Sequence, residues 1–185
     1  MKIFIKNMVC PRCIMVVEST LVKLSIPFVT IDLGEVTLEQ PLSSELRSQL
    51  ETELQKIGFQ LIDEKKDRLV EQVKVLLVKL IYDNVELKVN LSDYLSDKLS
   101  MDYTYISNQF SEMEKTTIEK YFIAQKIERV KELLRYDEMS LSEIAFQLNY
   151  SSVAHLSGQF KRVTGLTPSQ FKQKGDLQRR PIDQV

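Results

Sequence analysis

The chain is poor in the residues from which most active sites are built. Among 185 residues there is one histidine, two cysteines and no tryptophan. His155 is far in sequence from Cys10 and Cys13, so neither a Cys–His nucleophile pair nor a Ser-His-Asp set is expected, and the carboxylates read as solvated helix faces. No enzyme is expected. Two cysteines this close cannot staple a domain, and a cytosolic dithiol is more often metal-binding or redox-active than structural. Five glycines, well under the usual ~7%, argue against a turn-rich all-β fold. No run approaches the ~18 apolar residues of a membrane span, so no membrane partner is expected. Met1 to Lys6 begins a strand pattern in place of a signal-peptide core, which points to a cytoplasmic location. Charge of one sign is scarce only in places. The total of 25 basic against 26 acidic groups hides a stretch, 144–175, with Lys161, Arg162, Lys172 and Lys174 and no carboxylate, while 90–143 is acidic on balance.

Residues 1–65 alternate between two periods. Ile3 and Ile5 mark one face of a strand, and Ile14, Val17, Leu21 and Leu24 recur at helical spacing. Val29, Ile31 and Leu33 point one way along a second strand, Gly34 turns the chain, and Val36 and Leu38 continue a hairpin. Ser43 or Ser44 caps a helix with the stripe Leu46, Leu50, Leu54 and Ile57, Gly58 ends it, and Phe59 to Ile62 forms a last strand. The order is βαββαβ, an α+β ferredoxin-like sandwich. Cys10 and Cys13 fall where the first strand turns into the first helix. There the helix N-terminus and Arg12 favour thiolate over thiol. Two thiolates suit a soft ion, Cu(I) first, and leave a four-ligand Zn(II) site incomplete unless a second chain contributes. Met8 is expected to pack under the loop. A dithiol redox switch is the alternative chemistry, although nothing resembles the Trp-Cys-x-x-Cys of thioredoxins; a vestigial pair is the third reading.

Met8-Val9-Cys10-Pro11-Arg12-Cys13 after a first strand, in a chain that continues to Lys56-Ile57-Gly58-Phe59, resembles the heavy-metal-associated domain of copper chaperones and metal-transport ATPases. The resemblance implies that Cys10 and Cys13 are metal ligands. Asn7 stands where that family often has Gly.

Residues 66–89 read as a connecting helix with a wide apolar face (Leu69, Val73, Leu76, Leu80, with Val70, Leu77 and Ile81 beside them). It serves either to pack on the following domain or as a short dimer seam. Asp83-Asn84 ends it. Residues 90–174 repeat themselves. At an offset of 50, Ile106/Leu156, Ser107/Ser157, Gln109/Gln159, Phe110/Phe160, Thr117/Thr167 and Tyr121/Phe171 pair. Upstream, an offset of 49 pairs Leu95/Ile144, Ser96/Ala145 and Leu99/Leu148. Each copy reads as a helix-turn-helix unit, and Ile118 to about Tyr136 forms a long helix between them. The tail from 175 to 185 is expected to be mobile.

Leu141-Ser142-Glu143-Ile144-Ala145 and the run from Phe160 to Phe171 (FKRVTGLTPSQF) resemble the AraC/XylS-type DNA-binding domain. The resemblance implies an all-α domain with two helix-turn-helix units that regulates transcription on double-stranded DNA. Carried over position by position, the base-reading residues are Thr104, Tyr105, Ser107 and Asn108 in the first unit and Ala154, His155, Ser157 and Gly158 in the second. Lys161, Arg162, Lys172 and Lys174 are the candidate phosphate contacts. Three departures stand out: Asn149 replaces a Gly, Lys115 replaces the counterpart of Gly165 and predicts a turn of different shape, and Lys126 stands where Arg is usual. Together the two domains imply a metal-responsive transcription regulator. The alternatives are a dithiol redox-sensing regulator and a metal carrier. Homodimerisation through the metal domain or the connecting helix, and contact with RNA polymerase, are the protein partners this implies.

Overall fold

The computed structural model describes residues 1–62, 65–84 and 87–173. The first domain runs β1 (Lys2–Lys6), α1 (Pro11–Lys23), β2 (Phe28–Asp32), β3 (Glu35–Leu38), α2 (Ser44–Lys56) and β4 (Gln60–Ile62). All strand pairs are antiparallel, in the order β2-β3-β1-β4. Strand alternation sends Ile3, Ile5, Val36, Leu38 and Leu61 into one core with Val17 and Leu21 of α1 and Leu50 and Leu54 of α2. Met8 is fully buried in the same core. Ser43 caps α2 by accepting from the Leu46 amide. Gly58, at φ +85°, closes it: the amides of Gly58 and Phe59 bond back to Gln55 and Leu54, as in a Schellman motif.

Val29 departs from the expected alternation. It is 62% exposed, while Phe28 and Ile31 are the residues packed on the core. A register shift between Phe28 and Thr30 inserts a bulge, and an extra residue in a strand turns every later side chain to the other face.

The next helix, α3 (Lys65–Tyr82), is no mere connector. Leu69, Val70, Val73 and Leu77 lie in a core shared with α4 (Leu91–Leu99), α5 (Tyr103–Glu114) and α6 (Ile118–Tyr136). Its other side meets the sheet: the Arg68 guanidinium sits 4.6 Å from the Phe4 ring, and Val75 lies against Gly34. Leu80 and Ile81 are buried as well. Of the two readings of this apolar face, packing on the following domain is the one the structure shows, and the face is spent within the chain and not on a homodimer seam.

α6 spans 19 residues, or roughly 28 Å at 1.5 Å per residue, and links the first unit to a second core. That core gathers Ile127, Val130 and Leu134 of α6, Ile144 and Ala145 of α7 (Leu141–Gln147), Leu156 and Phe160 of α8 (Val153–Thr164) and Phe171 of α9 (Pro168–Gln173). The two cores repeat in detail. Phe110 meets Tyr121 edge-on at 5.5 Å, and Phe160 meets Phe171 edge-on at 5.4 Å. Among the described residues no helix is long and apolar enough to cross a membrane.

Candidate nucleic-acid interface and dithiol site

Each helix-turn-helix is built by the same backbone devices. Ser100 (φ 52°) and Asn149 (φ 53°) both take the left-handed conformation after the first helix. The amides of Met101 and Tyr150 bond back to the Ser96 and Ala145 carbonyls. The small residue at that carbonyl is therefore part of the turn as well as of the helix contact. Asp102 then caps α5 and Ser152 caps α8, each accepting from the amide three residues on. Between the equivalents Met101/Tyr150 and Asp102/Ser152, Ser151 is the added residue that changes the repeat offset.

The consequence is visible in burial. Residues 101–110 and 151–160 have the same order of buried, half-buried and exposed positions. Ile106 and Phe110 are fully buried, as are Leu156 and Phe160. Thr104, Tyr105, Asn108, Ala154, His155 and Gly158 are exposed, and Ser107 and Ser157 are half-buried. All eight expected base-reading residues thus lie off the cores. His155 is held on two sides: Nδ1 is 3.0 Å from the Ser151 hydroxyl, and the ring stands edge-on to Tyr150 at 5.4 Å. Tyr150 in turn donates to Gln159 at 2.7 Å. Tyr105, 49% exposed, offers an aromatic surface at the equivalent place in α5. Tyr103, which the sequence did not single out, ties α5 to α6 by donating to Glu119 at 2.5 Å.

Lys161 and Arg162 are exposed in the last turn of α8, where cations also complement the helix dipole. Lys172 is different: it is paired with Asp137, the residue that ends α6. Such an exposed pair is weak, but a phosphate would have to displace a carboxylate there. Lys174 and the tail lie outside the described residues. The Lys115 turn also needs correction. Lys115 adopts φ 55° and bonds its amide to the Ser111 carbonyl, as Gly165 does to Lys161 at φ 80°. The turn keeps its shape, and the lysine carries the strain of a left-handed residue. Lys126 lies 4.3 Å from the centre of the Tyr150 ring, and burial draws its ammonium down to about 8.

In the first domain, Cys10 caps α1 and Pro11 opens it. The two sulfurs are 3.2 Å apart. A free thiol pair is consistent with that distance, because a disulfide needs ~2.05 Å. Two ~2.3 Å bonds to one tetrahedral ion would hold the sulfurs ~3.8 Å apart, within reach of a small side-chain rotation. Among the described residues no third His, Cys, Asp or Glu converges with them, so the donor set fits a soft ion taken by two thiolates and does not by itself make a zinc site. The expected low-pKa thiolate is not found at Cys13. Burial, then its hydrogen bond with Cys10, pushes this thiol up to about 11. Arg12 is exposed. The sulfur of Cys13 also faces the Asn7 carbonyl at 3.9 Å.

Two helix-turn-helix units, each with its own core and joined by one long helix, define a helix-turn-helix domain of the bipartite kind. Residues 95–174 match the family model described as "Helix-turn-helix domain". The chain is 27% identical over 110 residues to the uncharacterized HTH-type transcriptional regulator YdiP of Escherichia coli K12, covering 60% of this chain and 35% of that protein. It is 27% identical over 101 residues to the HTH-type transcriptional activator RhaS of Escherichia coli O9:H4, covering 55% and 36%. It therefore spans about a third of the length of these relatives. The C-terminal domain of AraT, a response regulator from Geobacillus stearothermophilus, shares the fold with a TM-score of 0.53 at 18% identity, over 64% of this chain and 92% of that one. Over residues 95–174 the chain is thus similar to helix-turn-helix domains. These relatives are regulators of transcription, in line with the expectation that the chain is not an enzyme.

Proposed function

We propose that the chain is a sequence-specific, double-stranded-DNA-binding regulator of transcription. The observation that carries this is the matched exposure of α5 and α8: two helices present equivalent rows of polar and aromatic side chains from equivalent caps. In such units the second helix enters the major groove. Lys161 and Arg162 supply phosphate contacts that set the register. The dithiol domain is its input, taking Cu(I) on Cys10 and Cys13, with Zn(II) as second candidate. The βαββαβ order and the sheet order support a ferredoxin-like, heavy-metal-associated type of domain. Metal binding would release the thiol protons to solvent. This reading places the protein in the cytoplasm, and RNA polymerase and a second copy docking through the metal domain are the partners it implies.

The test is selection of a duplex from a random pool, then footprinting of the full chain with and without buffered Cu(I) or Zn(II), beside the Cys10→Ser/Cys13→Ser variant. The expected result is protection of a defined site whose occupancy changes with metal in the parent alone. Absence of any defined footprint would instead favour a metal carrier.

A redox switch is the second reading, favoured by sulfurs 3.2 Å apart and weakened by a Cys13 thiol at about 11, since the thiolate is the attacking species. A dithiol potential near the cytosolic poise would favour it.

A further inference from the structure

A chain of polar contacts leads from the dithiol loop to the end of the first recognition helix. Asn7 follows β1 in the left-handed conformation, φ 72°, and its side-chain amide donates to the Gly58 carbonyl at 3.0 Å. Its own carbonyl faces the Cys13 sulfur. Its backbone N–H donates 2.9 Å to one carboxylate oxygen of Glu71, on α3. The other Glu71 oxygen is 4.0 Å from the Lys74 ammonium, which sits 2.7 Å from Glu114. Glu114 is the last residue of α5. Glu71 and Lys74 are both buried, at 4% and 8% exposure, in a helix otherwise spent on apolar packing.

Two carboxylates, the buried Glu71 and the half-buried Glu114, thus share one buried ammonium. A buried charge that loses a partner is strongly destabilised, and the Asn7 amide is the donor that satisfies Glu71 while Lys74 sits closer to Glu114. An ion taking both sulfurs would spread them from 3.2 Å, and the Cys13 sulfur, which faces the Asn7 carbonyl at 3.9 Å, would shift against it. If Asn7 moves, Glu71 loses its N–H donor and draws Lys74 away from Glu114.

We infer that Glu71, Lys74 and Glu114 form a relay through which the Cys10–Cys13 loop sets the end of α5 and so the DNA affinity of the first unit. The relay rests on the regulator reading given above. A shift of Lys74 between Glu114 and Glu71 would supply the two-state element that coupling between distant sites requires.

The test uses the full chain, the duplex it selects, and two perturbations of the loop: buffered Cu(I), and alkylation of the cysteines by N-ethylmaleimide. The variant Glu71→Gln/Lys74→Met/Glu114→Gln removes all three charges together and leaves none unpaired. Glu71→Gln alone is the second variant, and thermal melts confirm that each folds. In the parent, either perturbation should change the DNA Kd by about 5-fold or more, the range of ordinary allosteric coupling, and in the triple variant by less than ~2-fold. Cu(I) should still bind the triple variant, so that a lost response is lost coupling and not lost metal. A triple variant that responds like the parent overturns the relay, as does a parent whose DNA affinity neither perturbation moves. If Cu(I) is silent but alkylation acts in the parent alone, the metal reading fails and the relay stands.

Discussion

The hydroxyl of Ser151 lies 3.0 Å from Nδ1 of His155, and Ser151 is the residue by which the second helix-turn-helix exceeds the first. The extra turn residue thus positions the only histidine of the chain. When the hydroxyl donates, the ring proton sits on Nε2, leaving a donor for an acceptor on a base edge.

His155→Ala should therefore relax selectivity. The expected loss is ~1–3 kcal/mol of discrimination at one base position, with Ser151→Ala losing less. Competition binding against single-base variants of the selected duplex measures it. Uniform weakening on all duplexes would assign His155 to phosphate instead.

Gly158 has no packing reason to be glycine: a Cβ there would meet nothing within 4 Å. Gly158→Ala should stabilise the folded chain by about 0.5–1 kcal/mol, from helix propensity alone. If close approach to DNA explains the glycine, the same variant binds the duplex more weakly. Urea melts and binding titrations read the two effects separately.

Lys115 and Gly165 close equivalent helices in the left-handed conformation. Lys115→Gly should raise stability by about 0.5–1 kcal/mol, and Gly165→Ala should lower it by about 1 kcal/mol or more. The Lys115 ammonium bonds the Glu112 carbonyl at 2.7 Å, which trims the first gain. Chemical denaturation of both variants at one temperature checks the pair.

Lys126 implies a pH dependence of definite sign. Burial lowers its folded-state value to about 8, against ~10.4 unfolded. Between these values the unfolded chain binds the extra proton, so stability rises with pH from about 8 toward 10. Partial exposure to solvent reduces the gain to about 1–2 kcal/mol. Lys126→Met should remove this contribution to the slope between pH 8 and 10, read as the difference between parent and variant so that the other titrating groups cancel. Denaturant midpoints at stepped pH test it.

Much of the second domain was legible in the sequence because its signals are local. Cap residues, left-handed positions and i, i+4 anchors act within one turn, and the repeat doubles each of them. The outward placement of Thr104, Tyr105, Asn108 and His155 follows once Ile106, Phe110, Leu156 and Phe160 are seen to face in. What the sequence did not reveal has a common cause. The exposure of Val29 depends on a bulge between paired strands, the pairing of Lys172 on a carboxylate from another helix, and the Cys13 thiol on burial by residues distant in sequence. Glu71 and Lys74 left a faint signal, two charges breaking an apolar helical face, but no spacing rule could name Asn7 and Glu114 as their partners.

By itself, then, the sequence determined the order of elements in the first domain, the paired helix-turn-helix units and the dithiol, because hydrophobic period, caps and motif spacing are written in neighbouring residues. Only the tertiary structure decided that α3 is buried between the sheet and the first helix-turn-helix core. Long-range packing alone brings Asn7 to Glu71, and so joins the dithiol loop to the helix that would read DNA.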